Sequence, residues 1–461
     1  LTVDCVIVDA KSITLKGMVE RNLVIDDGKI IDFTTDVPSC DKKINAGGLV
    51  AIPGIIDTHV HYGVYSPIGE AARTESKAAA LGGVTTMMRM LRLGRPYHTH
   101  LQDQLNASKK SHYVDYTIHA TIFDEKQAGD MKYCTEHGIT SFKIYMNLGG
   151  EVGHVYMDMD PGSPNLFEST VQLETSTIRS VCKNAASLGC PVLVHAEDYE
   201  MCGCGIKKAK QDKKDGLAAW SQSRPPDSEA KSIKKVCEIA REFGTTMYFV
   251  HIGSAVALDT ISQEKKKGTK IFVETCPHYL TLSYEKQNGY LAKVMPPIRT
   301  HSDNEKIWSA MISGDIDTIG TDHVANRLKL KVGQDVWSSL AGFPGIGTSL
   351  PILLSEGVNK NKINLQQLAH LSSGNAAKIF GLSGKGSLQK GFDADITLVD
   401  LKKEHTVSSE FFGSFSDYLV YEGWNLKGWP ITTMVRGKLV TENMQVVGKL
   451  GHGQMVQRNL S

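Results

Sequence analysis

Residues 54–61 read GIIDTHVH, a short apolar, β-branched run that ends in two histidines one residue apart. Ile, Val and Thr are stiff at χ1 and suit a strand better than a helix. Residues i and i+2 of a strand face the same side, so His59 and His61 present two imidazoles to one point. The same grammar recurs along the chain. Residues 139–146 read ITSFKIYM, 191–198 PVLVHAED, 247–254 MYFVHIGS and 317–323 DTIGTDH. Each run delivers a polar residue at or just past its end: Lys143, His195, His251 and Asp322. Strand ends are rigid platforms, and imidazole and carboxylate are the ligands that borderline divalent cations such as zinc prefer. The six residues are candidates to hold two metal ions.

Working outward, strands are expected near 55–61, 84–90, 114–122, 139–146, 191–195, 247–251, 270–275 and 317–321. Helical spacing appears between them. It covers 168–188, with Val171, Ile178, Val181, Cys182, Ala185 and Leu188, and 229–243, with Ile233, Val236, Cys237 and Ala240. Alternating strands and helices predict an α/β protein, a (β/α)8 TIM barrel whose chemistry gathers at the C-terminal strand ends. The first fifty residues and the last seventy have a different, strand-like alternation, as in VDCVIVDA and TTMVRGKLV. They predict a small β-sandwich built from both chain ends, dividing the chain into 1–52, a barrel over 53–385, and 386–461. The longest irregular stretch, 324–349, follows the last strand and is placed to fold over the barrel mouth as part of a lid.

Composition excludes other classes. Among 461 residues, 51 basic and 50 acidic side chains leave a formal net charge of +1. No long-range field exists to attract nucleic acid or an anionic membrane. No run of apolar residues is long enough to span a bilayer. The opening LTVDCVIVDA has no basic segment ahead of an apolar run, so no export leader is expected. Nine scattered cysteines lack the spacing of a disulfide framework, and Cys202 and Cys204 read as free thiols. A cytoplasmic location is the expectation. The basic clusters Lys207 to Lys214 and Lys265 to Lys267 read as solvated helix faces.

IPGIIDTHVH, GGVTT, SFKIYM, VHAED, ETCPHYL, PPIR, GTDH and NAAKIFGL…KGSLQKGFDADITLVDL, in that order, resemble the cyclic amidohydrolases. That group includes hydantoinase, dihydropyrimidinase, allantoinase and dihydroorotase. The resemblance implies a centre of two divalent ions, zinc first, with manganese, cobalt or nickel able to fill the same ligands. By that likeness His59, His61 and Asp322 hold one ion and His195 and His251 the other. Lys143 bridges them as N6-carboxylysine, formed with carbon dioxide. An ammonium among metal-binding imidazoles would be repelled and costly to bury, whereas a carbamate offers one oxygen to each ion. Asp322 would act as general base, and the substrate would be a cyclic amide of the 5-substituted hydantoin or dihydropyrimidine type. A homo-oligomer, dimer or tetramer, is also implied.

Several positions depart from the pattern. Hydantoinases and dihydropyrimidinases carry a tyrosine where this chain has Leu148; Tyr145 lies nearby on the same strand face as Lys143. Met295 replaces a serine before PPIR, and Ala341 an asparagine of the lid. Dihydroorotase has an arginine where Gly63 stands, while Arg89, Arg92 and Arg95 crowd the end of the second strand. One of these three is expected to meet a polar or anionic ring substituent. His278 is a candidate pocket residue, Asp57 a supporting carboxylate, and His119 and His323 rank lower. Allantoinase is the main alternative activity. Dihydroorotase, a mononuclear deaminase and a non-catalytic scaffold rank below it.

Overall fold

Eight short strands close into a ring because each is a buried apolar run with nowhere to go but against its neighbours. The computed structural model describes residues 2–286 and 289–460. The barrel strands are Ile55–His61, Val84–Leu91, Asp115–Thr121, Phe142–Tyr145, Val192–His195, Met247–Phe249, Ile271–Thr275 and Thr318–Ile319. All pair in parallel, and nearly every residue in them is buried, as expected of strands covered on both faces. The eighth strand is broken. Thr318–Ile319 pairs with the seventh strand, and His323–Val324 crosses to the first, setting His323 against Val60 and Val324 against His61. The break, Gly320 to Asp322, closes the barrel. A Cβ at Gly320 would lie 2.8 Å from the Glu274 carboxylate and 2.8 Å from Thr58 Oγ1, so no larger residue fits there.

The helix at Pro226–Phe243 ends on Gly244 in the left-handed conformation, as its spacing predicts. The expected helix over 168–188 is corrected. Phe167–Thr170 is a strand that pairs antiparallel with His154–Met157, and the helix is confined to Thr175–Ser187. Val171 packs with Tyr145, Leu148, Val155 and Met157 rather than on the helix face. An apolar residue serving a hairpin thus mimicked the first turn of a helix.

Both chain ends build the second core. One sheet orders the strands Lys29–Thr34, Asn22–Asp26, Val3–Val8 and Cys40–Asn45. The other sets Val50–Pro53, Lys11–Thr14 and Gly17–Glu20 beside Ile396–Thr406, Asn425–Val435, Lys438–Glu442 and Gln445–Val446. Ile7, Leu23 and Ile25 pack against Ile396, Leu398 and Met434. The chain then returns to the barrel floor. Residues 454–456 bond to Tyr116, and the buried Arg458 donates to Ile118 O and to Ser141 Oγ at 2.6 Å.

One buried ion cluster fastens the sandwich to the barrel base. The Lys385 ammonium lies 2.8 Å from Asp115, 3.0 Å from Asp393 and 2.7 Å from Asp395, and Arg436 also pairs with Asp115. Replacing Lys385 by Met leaves these carboxylates without their shared cation. We expect a loss of about 3–5 kcal/mol of stability, read as a lower denaturation midpoint.

Candidate metal centre

His59 and His61 project from the end of the first barrel strand with their Nε2 atoms 3.2 Å apart. Asp322 Oδ1 lies 3.3 Å from each of those nitrogens. These three side chains, all buried, form a cluster with the donor set and spacing of a metal site. Asp322 reaches it because the eighth strand breaks at that residue, whose φ is 50°. His251, just past the sixth strand, has a φ of 45°. Two candidate ligands therefore hold left-handed backbone, a cost that packed surroundings sustain at functional sites.

The orientation of each imidazole is set from behind. His59 Nδ1 lies 2.9 Å from Glu274 Oε1, so that nitrogen carries the proton and Nε2 offers its lone pair to the cluster. His195 is reversed. Its Nε2 lies 2.6 Å from Glu197 Oε2, leaving Nδ1 as the free donor. Arg224 grips Glu197 with two bonds of 2.9 and 2.7 Å. Burial works against ionising Glu197, but Arg224 and His195 hold its pKa well below the usual carboxylate range. The His251 ring stacks on His59 at 5.3 Å and meets His195 edge-on at 4.6 Å. Burial, and secondarily neighbouring cationic groups, push the pKa values of His59, His61 and His251 far down, which is the neutral form a cation requires.

Lys143 belongs to the fourth barrel strand, its Nζ 4.8 Å from the Tyr145 ring centroid. It is fully buried, and its Nζ finds no hydrogen-bond partner among the described residues. Burial lowers its pKa to about 7 against the opposing pull of Asp322 and Glu274. An amine shifted this way reaches its nucleophilic neutral form far more readily than an ordinary lysine. The residues present therefore fit divalent ions: lone pairs converge, a carboxylate joins them, and the one amine is not committed to an ion pair.

Above the cluster opens a cavity of ≈ 330 Å³. Tyr145, Leu148, Met295 and Ala341 lie on its wall, together with His59, His61, His195, His251 and Asp322. Arg89 and His278 do not. The Arg89 guanidinium donates to Tyr62 O at 3.0 Å and to Gln104 at 3.3 Å, and pairs with Asp158, so it ties loops together. His278 is buried and packs edge-on against Phe343 at 5.1 Å. A Cβ at Gly63 would meet Arg89 Nη2 at 2.7 Å, which is why no side chain stands there. Asp57 accepts from Thr321 Oγ1 at 2.6 Å and from the His59 amide at 3.1 Å. His119 bonds Ser141 and Thr58 O below the site, and His323 bonds Glu75 and faces away from the cluster.

The irregular stretch 324–349 does cover the mouth, contributing Val324, Trp337, Ser339, Leu340, Ala341 and Gly342. Lys331 holds it in shape, its Nζ donating to Lys293 O, Leu340 O and Gly342 O at 2.7–2.8 Å. Other wall residues escaped the sequence reading. The hairpin supplies His154, Val155 and Tyr156; Lys210 also borders the cavity while staying exposed, as expected for its helix face. Glu274 left a trace, a lone carboxylate in the buried run IFVET.

A family model described as the amidohydrolase family matches residues 50–440. A D-hydantoinase of Geobacillus stearothermophilus is 31% identical over 97% of this chain and 94% of its own length. An allantoinase of Solibacter usitatus is 27% identical over 98% of this chain and 97% of its own. The crystal structure of a dihydropyrimidinase from Brevibacillus agri superposes with a TM-score of 0.88 at 28% identity, covering 98% of both chains.

Glu274→Gln removes the charge that fixes His59 while keeping the side chain's shape. We expect zinc retention to weaken about 10- to 100-fold, measured as metal content after dialysis against graded zinc buffers.

Proposed function

The chain belongs to the amidohydrolase family, and from that footing we propose that it opens a cyclic amide by hydrolysis at a centre of two divalent ions. The ring is of the hydantoin or dihydropyrimidine type. The observation that carries the reading is Lys143: a buried amine without a partner among the described residues, set among neutral imidazoles. Its Nζ adds to the carbon of carbon dioxide and loses a proton, giving a carbamate whose two oxygens suit two cations. His59, His61 and Asp322 would hold one ion, His195 and His251 the other, with zinc the first choice among manganese, cobalt and nickel.

When bound, such ions supply a water acidified to near neutral pH and a Lewis acid for the scissile carbonyl. The rest falls to the chain. Asp322, whose pKa burial raises above the ordinary value, takes the proton of the attacking water and passes it to the departing ring nitrogen. The Tyr145 hydroxyl is buried on the cavity wall with no partner among the described residues, free to donate to the carbonyl oxygen as charge develops there. Leu148 and Val155 keep that wall apolar, which strengthens the donation. The leaving nitrogen remains tethered to the product after the ring opens.

The test is ring opening of hydantoin, 5-substituted hydantoins, dihydrouracil and allantoin by zinc- and bicarbonate-treated protein. Carboxylate formation is expected, together with two ions per chain and a carbamate carbon at Lys143 seen by NMR with labelled carbon dioxide. An unmodified Lys143 with one ion per chain would instead favour deamination chemistry. Tyr145→Phe is expected to lower kcat about 10²–10³-fold with KM little changed, by steady-state kinetics on the best ring.

A further inference from the structure

The cavity wall holds positive charge that ring opening of a neutral substrate does not use. Of the three arginines at and after the end of the second barrel strand, two are spoken for. Arg89 is locked by Asp158, and Arg95 lies outside the cavity, paired with Asp160 at 2.7 Å. Arg92 lines the cavity and forms no ion pair among the described residues, and its Nε is buried without a hydrogen-bond partner. Asp158 is engaged elsewhere: one oxygen pairs with Arg89 and the other accepts from the backbone amide of Arg92 at 2.6 Å. Arg92 shares the cavity wall with His61, Tyr65 and Tyr145.

The rest of the wall repeats the imbalance. Lys293 donates to Ser339 O at 2.5 Å and lies 4.2 Å from the Trp220 ring centroid, and Lys210 lies 6.0 Å from that of Trp337. Neither meets a carboxylate among the described residues. Arg224 is neutralised by Glu197, and the carboxylates on the wall itself are Asp322, within the cluster, and Glu151. A part-buried cation next to a site built for cations raises the energy of the empty cavity, and an anionic ligand relieves it. A guanidinium matches a carboxylate in plane and in spacing.

We propose that Arg92 binds a carboxylate carried by the substrate ring, so that the preferred substrates are cyclic amides with an acidic substituent. This rests on the ring-opening reading above. The experiment compares matched pairs, dihydroorotate with dihydrouracil and hydantoin-5-acetate with 5-propylhydantoin, in the zinc-loaded wild type, Arg92→Met and Arg92→Lys. The wild type should favour each acidic ring. Arg92→Met should cut that acidic-to-neutral preference in kcat/KM by about 10- to 100-fold, chiefly through KM, and Arg92→Lys should restore part of it. Equal use of both members by the wild type overturns the proposal. So does a loss in Arg92→Met that falls on kcat for acidic and neutral rings alike, since Arg92 would then serve the reacting carbonyl. Calorimetric binding of the same rings separates the two readings. Arg92-dependent binding of acidic rings without any turnover sinks the ring-opening reading alone, and absence of both binding and turnover sinks both.

Discussion

Glu274 accepts four hydrogen bonds inside the barrel, and the geometry of the metal centre follows from them. Thr58 Oγ1 and the Tyr248 hydroxyl donate to one carboxylate oxygen at 2.6 and 2.9 Å. His59 Nδ1 and the His251 amide donate to the other at 2.9 and 3.1 Å. The donors come from the first strand and from the sixth with the turn that follows it, while Glu274 belongs to the seventh. Burying a carboxylate costs several kcal/mol, and hydrogen bonds to a charged group contribute roughly 1.5–3 kcal/mol each. Burial prevails and raises the Glu274 pKa to about 7, while the bonds from Thr58, Tyr248 and the His251 amide pull it back. The side chain acts as a gauge: when the strands are in register it aims the His59 imidazole and holds the His251 backbone, and Gly320 leaves the space that Glu274 fills.

Legibility in the sequence divides along the same line. The metal-ligand candidates could be read because each lies in or just past a short apolar run, a local pattern that strand physics interprets without tertiary knowledge. The groups that aim them could not. Glu197 and Arg224 are twenty-seven residues apart and meet only once the barrel closes. The hairpin at His154–Met157 and Phe167–Thr170 was hidden because Val171 continues the apolar spacing of the following helix. Lys210 is exposed, as its charged neighbours imply, but that it also borders the cavity depends on where its helix docks. The arginine trio was visible as a concentration of charge, but which member is left without a counter-ion is decided by Asp158, sixty-six residues beyond Arg92.

The wall opposite the hairpin is shaped by backbone more than by side chains. Lys331 is buried with three carbonyl oxygens around its Nζ. Burial pushes its pKa well down, and nearby Lys293 adds to the shift. The contacts fix Leu340 and Gly342 around Ala341, so a small residue at 341 leaves cavity space while the loop keeps its course. Substrate selection in this fold can thus vary by side-chain changes on a wall whose path is set independently.

The seven-stranded sheet interleaves segments from opposite ends of the polypeptide, with Val50–Pro53 hydrogen-bonded to Ile396–Val399. The other early strands pair among themselves, but the edge of Val50–Pro53 that faces Ile396–Val399 stays open during synthesis until more than three hundred intervening residues have emerged. The barrel floor waits longer still for Arg458. Completion of that sheet therefore waits on the far end of the polypeptide, and until then the open edge is a place where wrong strand pairing can start.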